Sequence, residues 1–212
     1  MYNKLQYISQ GNTHEEQLHN IKKALDNGCL WIQLRFKNGN SLELFTLAEA
    51  VKMLCEEYQA TFIINDKVDL AIQIDADGVH LGLNDMRIKD ARSLLGNHKI
   101  IGGTANTFNE VLQRKNEDCN YVGLGPFQFT KTKDNLSPIL GIEGYGSIIE
   151  NMMNENIKIP IYAIGGITLE NIESLMKTGI HGIAVSGLIT HSENKLQLIN
   201  QLNKKLYEGI NI

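Results

Sequence analysis

Thr61-Phe62-Ile63-Ile64-Asn65-Asp66, a helical turn over Val68–Ile74, and Gly78-Val79-His80-Leu81-Gly82-Leu83-Asn84-Asp85 form the stretch that decides the fold. Two apolar runs flank a segment of helical period, and each run gives way to an acid. Strands joined through a crossover helix lie parallel, and parallel strands covered on both faces read as continuous apolar runs. The rhythm continues on both sides. Upstream, strands are predicted at Leu5–Ser9 and Leu30–Arg35, with helices at Glu15–Asn27 and Ser41–Tyr58. Downstream, strands at Lys99–Gly103, Tyr121–Gly125, Ile161–Ile164 and Gly182–Ser186 alternate with helices at Ile88–Leu95, Thr107–Glu117, Gly144–Met153, Leu169–Lys177 and Glu193–Tyr207.

Eight strand-helix units in 212 residues leave about 26 residues per unit, the compact end of what a (β/α)8 TIM barrel uses. Residues 1–212 are therefore expected to form a single domain of the α/β class. A doubly wound open sheet is the competing architecture, but no G-x-G-x-x-G follows the first strand. The longest irregular connection runs from Gly123 to Gly141, holds two of the three prolines, and is long enough to suggest a lid.

Twenty Lys and Arg against twenty-four Asp and Glu leave a net charge of −4, with the basic residues scattered. That argues against bulk nucleic-acid binding, which calls for a basic stripe. Cys29, Cys55 and Cys119 are far apart and odd in number, so they are expected to be reduced rather than a disulfide or zinc framework. The polar opening and the lack of a long apolar run point to a cytoplasmic protein with no membrane partner. The oligomeric state stays open, a homo-oligomer included.

In a barrel of this kind, chemistry gathers at the C-terminal strand ends. Gln33-Leu34-Arg35-Phe36-Lys37 alternates so that Gln33, Arg35 and Lys37 share one side and Leu34 and Phe36 the other. Either this is a solvated strand end, or it is an anion clamp built from a planar guanidinium and a compact ammonium. Asp66 and Asp85 end neighbouring strands about 4.8 Å apart, close enough to share one cation. An oxygen-only pair suits Mg2+, which keeps waters and bridges to phosphate; the alternative is that each acid caps the helical turn after it. Asp75 and Asp77 fall at the opposite end and read as structural. His80, inside an apolar strand, reads as a core histidine held by a backbone partner. Thr130-Lys131-Thr132-Lys133 could close over a phosphorylated ligand, and Gly165-Gly166 and Ser186-Gly187 occupy the seventh and eighth strand ends, where barrels commonly bind a monophosphate. No Ser/His/Asp nucleophile signature occurs.

Taken together, Gln33-x-Arg35-x-Lys37, Ile64-Asn65-Asp66, Asp77-Gly78-Val79-His80-Leu81-Gly82 with Asp85, Thr130-x-Thr132-Lys133 and Ala163-Ile164-Gly165-Gly166-Ile167 resemble the thiamine-phosphate synthase family over nearly the whole chain. The resemblance implies a transferase that joins hydroxymethylpyrimidine diphosphate to a thiazole phosphate and releases pyrophosphate. It assigns the pyrimidine diphosphate to Gln33, Leu34, Arg35, Phe36, Lys37, Asn65, Thr104 and Lys133, with Arg35, Lys37 and Lys133 acting on the leaving group. It assigns Mg2+ to Asp66 and Asp85, and the thiazole phosphate to Thr130, Lys131, Thr132, Gly166, Ser186 and Gly187. Leu83, Thr104 and Ser186-Gly187 depart from the family's usual residues. The alternatives are a thiazole tautomerase-like relative, expected to carry a histidine near the end of the sixth strand where this chain has Gly125-Pro126, and a non-catalytic barrel that binds phosphorylated small molecules.

Overall fold

The computed structural model describes residues 2–130 and 137–208. Lys131, Thr132 and Lys133, which the sequence reading assigns to the substrates, lie outside the described residues. The chain alternates β1 (Leu5–Ile8), α1 (His14–Asp26), β2 (Trp31–Leu34), α2 (Ser41–Glu57), β3 (Thr61–Asn65), α3 (Val68–Gln73), β4 (Gly78–Leu81), α4 (Ile88–Leu95), β5 (Ile100–Ala105), α5 (Phe108–Asn116) and β6 (Tyr121–Leu124). It continues through α6 (Gly141–Asn154), β7 (Ile161–Ile164), a 3-10 turn at Leu169–Asn171, α7 (Ile172–Lys177), β8 (Gly182–Val185), α8 (Gly187–Thr190) and α9 (Lys195–Glu208). Every strand pairs in parallel with the next, and β8 returns to β1 through Leu5↔Ile183 and Tyr7↔Val185, closing the barrel expected from the sequence.

Local chemistry starts the helices where the periodicity placed them. The Thr13 hydroxyl accepts the Glu16 N–H, and Asn40 with Glu43 and Thr107 with Glu110 form reciprocal capping boxes. Each helix turns an apolar stripe onto the outer face of the sheet: Ile21 and Leu25 from α1, Leu47 and Val51 from α2, and Ile172 and Leu175 from α7 are all buried. All three cysteines are free, and Cys29 and Cys55 are buried.

A second, smaller core fills the N-terminal half of the barrel interior. Trp31, Tyr121 and Tyr162 meet edge to face with ring centroids 5.2 to 5.4 Å apart, a geometry that aligns ring edges with π faces. Beside them the neighbouring strand carries glycine, with Gly102 of β5 paired to Tyr121 of β6. A Cβ on Gly102 would fall 2.1 Å from the Tyr121 ring, so the closed circle admits three large rings only because β5 has no side chain there. This also explains a difference from the sequence reading: Gly102-Gly103 does not end the fifth strand, which runs on to Ala105. Helix α6 begins three residues earlier than expected, at Gly141, and the four-residue α8 was not anticipated.

Candidate active site

The C-terminal strand ends surround a cavity of about 710 Å3. On one side stand Gln33, Arg35 and Lys37 beyond β2, Asn65 and Asp66 at β3, His80 and Asp85 at β4, and Thr104 at β5. On the other stand Thr130 beyond β6, Gly165 and Gly166 beyond β7, and Ser186 and Gly187 beyond β8. Every site residue expected from the sequence and lying among the described residues reaches this cavity, except two. Leu34 is buried in the strand-helix core and Phe36 packs against that core, as the alternation of side chains along β2 requires. A second concavity of about 680 Å3 lies along α4 and α5, lined by residues such as Arg87, Asp90, Gln113 and Glu117. No strand end contributes to it, and the chemistry belongs at the barrel mouth.

The cationic wall is fixed through its backbone. Arg35 N–H donates to the Ser9 hydroxyl (2.9 Å), and the Gln17 amide donates to the Arg35 carbonyl (3.2 Å), so the exit of β2 is tied to the exit of β1 and to α1. Gln33 is 2% exposed and its Nε2 donates to Asn65 Oδ1 at 2.8 Å. Its Oε1 is buried without a hydrogen-bond partner among the described residues. A buried amide oxygen left unpaired carries a desolvation cost that a donor on a bound molecule would remove.

Neither acid caps a helix. The helices after them, α3 and α4, start without any side-chain cap. Asp66 sits at φ 63°, in the left-handed region, with its N–H bonded to the His80 carbonyl (2.9 Å). Asp85 folds back so that its Oδ2 accepts the Gly82 N–H at 2.6 Å. The two carboxylates meet over the end of β4. Burial first, and then the hydrogen bond and charge of Asp85, push the Asp66 carboxyl up to about 6, against the opposing pull of Arg35 and Lys37. Two carboxylates forced together favour a shared proton or a shared cation. The oxygen-only donor set fits a hard divalent cation that fills its remaining positions with water and ligand oxygens, and no group of three or more His, Cys, Asp or Glu that could hold a metal exists among the described residues.

His80 is satisfied differently from expectation. Among the described residues its ring nitrogens meet side chains: Nδ1 lies 3.1 Å from the Tyr121 hydroxyl and Nε2 lies 3.1 Å from Thr104 Oγ1. The sequence reading also passed over Arg114. This arginine is 4% exposed on the inner face of α5, where Nε donates to the Thr104 carbonyl (3.0 Å), Nη2 to the Gly82 carbonyl (3.3 Å) and Nη1 to Glu117 (3.0 Å). One guanidinium thus joins the exits of β4 and β5 behind the acids. Its signal was present, since Arg114 follows the buried Val111 at the i+3 spacing of a helix face.

The opposite wall is built from backbone. Gly165 and Gly166 adopt φ 89° and 69°, and a Cβ on Gly166 would stand 2.7 Å from the Phe129 carbonyl oxygen. The segment after β6 is zipped onto this turn by Phe127 N–H to Ile164 O (2.8 Å) and Gln128 N–H to Gly165 O (3.0 Å). Ser186 Oγ donates to Gln10 Oε1 (3.3 Å), just before Gly187 opens α8. A cation clamp with paired acids therefore faces a glycine-lined turn across one cavity, an arrangement that suits two phosphorylated molecules side by side.

The comparisons with known proteins agree with that geometry. A curated thiamine-phosphate synthase of Flavobacterium psychrophilum is 72% identical over 206 residues, covering 97% of this chain and all of that protein. Its counterpart in Flavobacterium johnsoniae is 62% identical over 210 residues, covering 99% of each chain. Among solved structures, thiamine phosphate pyrophosphorylase from Pyrococcus furiosus superposes with a TM-score of 0.84 at 31% identity, covering 98% of this chain and 97% of that one. The sequence model described as thiamine monophosphate synthase matches residues 5–189, and the chain belongs to that family.

Proposed function

We propose that this chain is a thiamine-phosphate synthase that transfers the methylpyrimidine group of 4-amino-2-methyl-5-hydroxymethylpyrimidine diphosphate to the ring nitrogen of a thiazole phosphate. The carbon–oxygen bond to diphosphate breaks with its electron pair leaving on pyrophosphate, and the thiazole nitrogen supplies the pair for the new carbon–nitrogen bond. The observation that carries this reading is the pairing of Asp66 and Asp85 beside Arg35 and Lys37, across the mouth from Gly165-Gly166. A departing pyrophosphate demands concentrated positive charge, and an attacking monophosphate demands a site of its own.

In this mechanism Arg35, Lys37 and Lys133 stabilise the charge that develops on the leaving group. Gln33 and Asn65 orient the pyrimidine, with the unpaired Gln33 oxygen available to accept from its amino group. Asp66 and Asp85 would hold Mg2+, which supplies further positive charge to the diphosphate oxygens when bound. Thr104 donates to the diphosphate, while Leu34 and Phe36 shape the clamp through backbone alone. Thr130, Lys131, Thr132, Gly166, Ser186 and Gly187 hold the thiazole phosphate so that its nitrogen lies within about 3 to 3.5 Å of the reacting carbon. The electron-rich aminopyrimidine spreads the positive charge left at carbon, so no side-chain nucleophile takes part. Residues 1–212 act as one domain, a cytoplasmic enzyme with small phosphorylated molecules as partners.

Mixing both substrates with Mg2+ tests this directly, and stoichiometric release of thiamine phosphate and pyrophosphate is the expected result. A tautomerase needs a general acid-base near the thiazole, whereas the β6 exit offers Gly125-Pro126. Metal-independent tautomerisation of the thiazole phosphate without pyrophosphate release would replace the synthase reading.

A further inference from the structure

Beneath the cavity floor, four polar side chains from four strands form one hydrogen-bonded line. Gln6 on β1 is 1% exposed, Tyr121 on β6 is fully buried, and His80 on β4 is 6% exposed. Gln6 Nε2 lies 3.2 Å from Tyr121 Oη, Tyr121 Oη lies 3.1 Å from His80 Nδ1, and His80 Nε2 lies 3.1 Å from Thr104 Oγ1. Thr104 lines the cavity itself. The barrel keeps room for this line at two glycines. A Cβ on Gly102 would overlap the Tyr121 ring, and one on Gly123 would stand 3.0 Å from His80 Cε1.

We propose that Gln6 and Tyr121 are positioning residues that fix His80 as its Nε2–H tautomer and thereby make the Thr104 hydroxyl a donor to the diphosphate. The inference rests on the reading of Thr104 as a diphosphate ligand and deepens it. The direction follows from donor and acceptor inventory. An amide nitrogen only donates, so the Gln6–Tyr121 bond occupies a lone pair of the phenol and leaves its single proton for His80 Nδ1. A histidine whose Nδ1 accepts carries its proton on Nε2 and donates to Thr104 Oγ1. The threonine proton is then turned toward the cavity, where an anion accepts it. An inverted Gln6 amide would reverse every bond in the line, and Thr104 would offer the diphosphate only lone pairs.

Burial holds the Tyr121 phenol above its ordinary value, so it enters the line as O–H.

The test is a long-range proton–nitrogen correlation spectrum of the whole protein with nitrogen-15 histidine, with the His80 signals assigned by their loss in His80→Gln. The expected result in the ligand-free protein is the Nε2–H tautomer. Tyr121→Phe, which keeps the ring packed on Trp31 and Tyr162, is expected to release His80 into a tautomer mixture. It is also expected to lower kcat for coupling roughly five- to tenfold, with KM for the thiazole phosphate unchanged. In a Thr104→Val background the same change is expected to add no further loss, because its effect passes through that hydroxyl. An Nδ1–H tautomer in the unsubstituted protein overturns the proposal, and so does a Tyr121→Phe protein with unchanged tautomer and turnover. If the unsubstituted protein performs no coupling, the functional reading falls, and the tautomer spectra still decide the direction of the line.

Discussion

At the N-terminal end of the barrel, Asp75 lies against Lys99 and within 3.9 Å of Lys52, while Asp77 accepts the Phe62 N–H at 2.7 Å. At the C-terminal end, on the continuation of the same strand-helix units, Asp66 is pressed against Asp85. The surroundings move the two carboxyls in opposite directions. Hydrogen bonding and charge from Lys99, then Lys52, hold Asp75 below its ordinary value, whereas burial and Asp85 raise Asp66. One end gives each acid a partner within the fold. The other end leaves like charges together, an arrangement that the proposed cation and diphosphate would complete.

The sharpest way to break this comparison is to neutralise the unfavourable end. Asp66→Asn keeps a residue that tolerates positive φ, and Asp85→Asn keeps an oxygen for the Gly82 N–H. Each is expected to lower coupling on the order of 10²- to 10³-fold, while the urea midpoint stays the same or rises as like-charge repulsion is removed. Steady-state kinetics beside equilibrium unfolding checks both halves. A loss of about 1 kcal/mol in stability with turnover intact would reduce these acids to local structural hydrogen-bond partners and remove the metal site.

The glycine wall gives the next largest effect. Gly166→Ala places a methyl group 2.7 Å from the Phe129 carbonyl and asks alanine to adopt φ 69°. The turn must shift, and KM for the thiazole phosphate is expected to rise about tenfold or more while the pyrimidine substrate is affected less. An unchanged KM for the thiazole phosphate would move that phosphate away from β7.

Acidity separates the two ends more gently. Because Asp66 titrates near 6 in the folded protein, above its ordinary 3.8, the native state holds this proton more tightly than the unfolded chain. The stabilisation it brings is complete below about pH 4 and is lost as pH rises through about 6. Under the proposed metal site Mg2+ would compete for the same oxygens, so its apparent affinity is expected to increase several-fold between pH 5 and pH 7. Urea titrations in EDTA and in Mg2+ at the two pH values measure this linkage. The pH-dependent gap between the two conditions is expected to vanish in Asp66→Asn, and persistence of the gap there would assign it to another group.

Which parts of this contrast could be read from the sequence follows from how local each signal is. The side-chain period of a strand placed Gln33, Arg35 and Lys37 on the cavity and Leu34 in the core, and the acid after each of two adjacent strands brought Asp66 to Asp85. The Gln6–Tyr121–His80–Thr104 line was not legible, because its partners are 24 to 115 residues apart and meet only once the barrel closes. Gly102 looked like a strand end because the ring that needs its space sits on another strand. Helix α8, at four residues, is shorter than one hydrophobic period can report.

The smallest expected effect belongs to the end already satisfied. Tyr162 lies with Trp31 and Tyr121 in the inner core, and its hydroxyl donates to the Asn3 carbonyl at 2.6 Å, joining β7 to the segment that enters β1. Tyr162→Phe keeps the ring and its edge-to-face contacts, so only this bond is lost. A single neutral hydrogen bond contributes about 1 kcal/mol, which should appear as a modest fall in the urea midpoint. Neither the clamp nor the glycine turn contacts that hydroxyl, so kcat and both KM values are expected to stay at their original levels. Should Tyr162→Phe slow coupling while leaving the urea midpoint unchanged, the N-terminal plug would share in catalysis, and the division of labour between the two barrel ends would have to be redrawn.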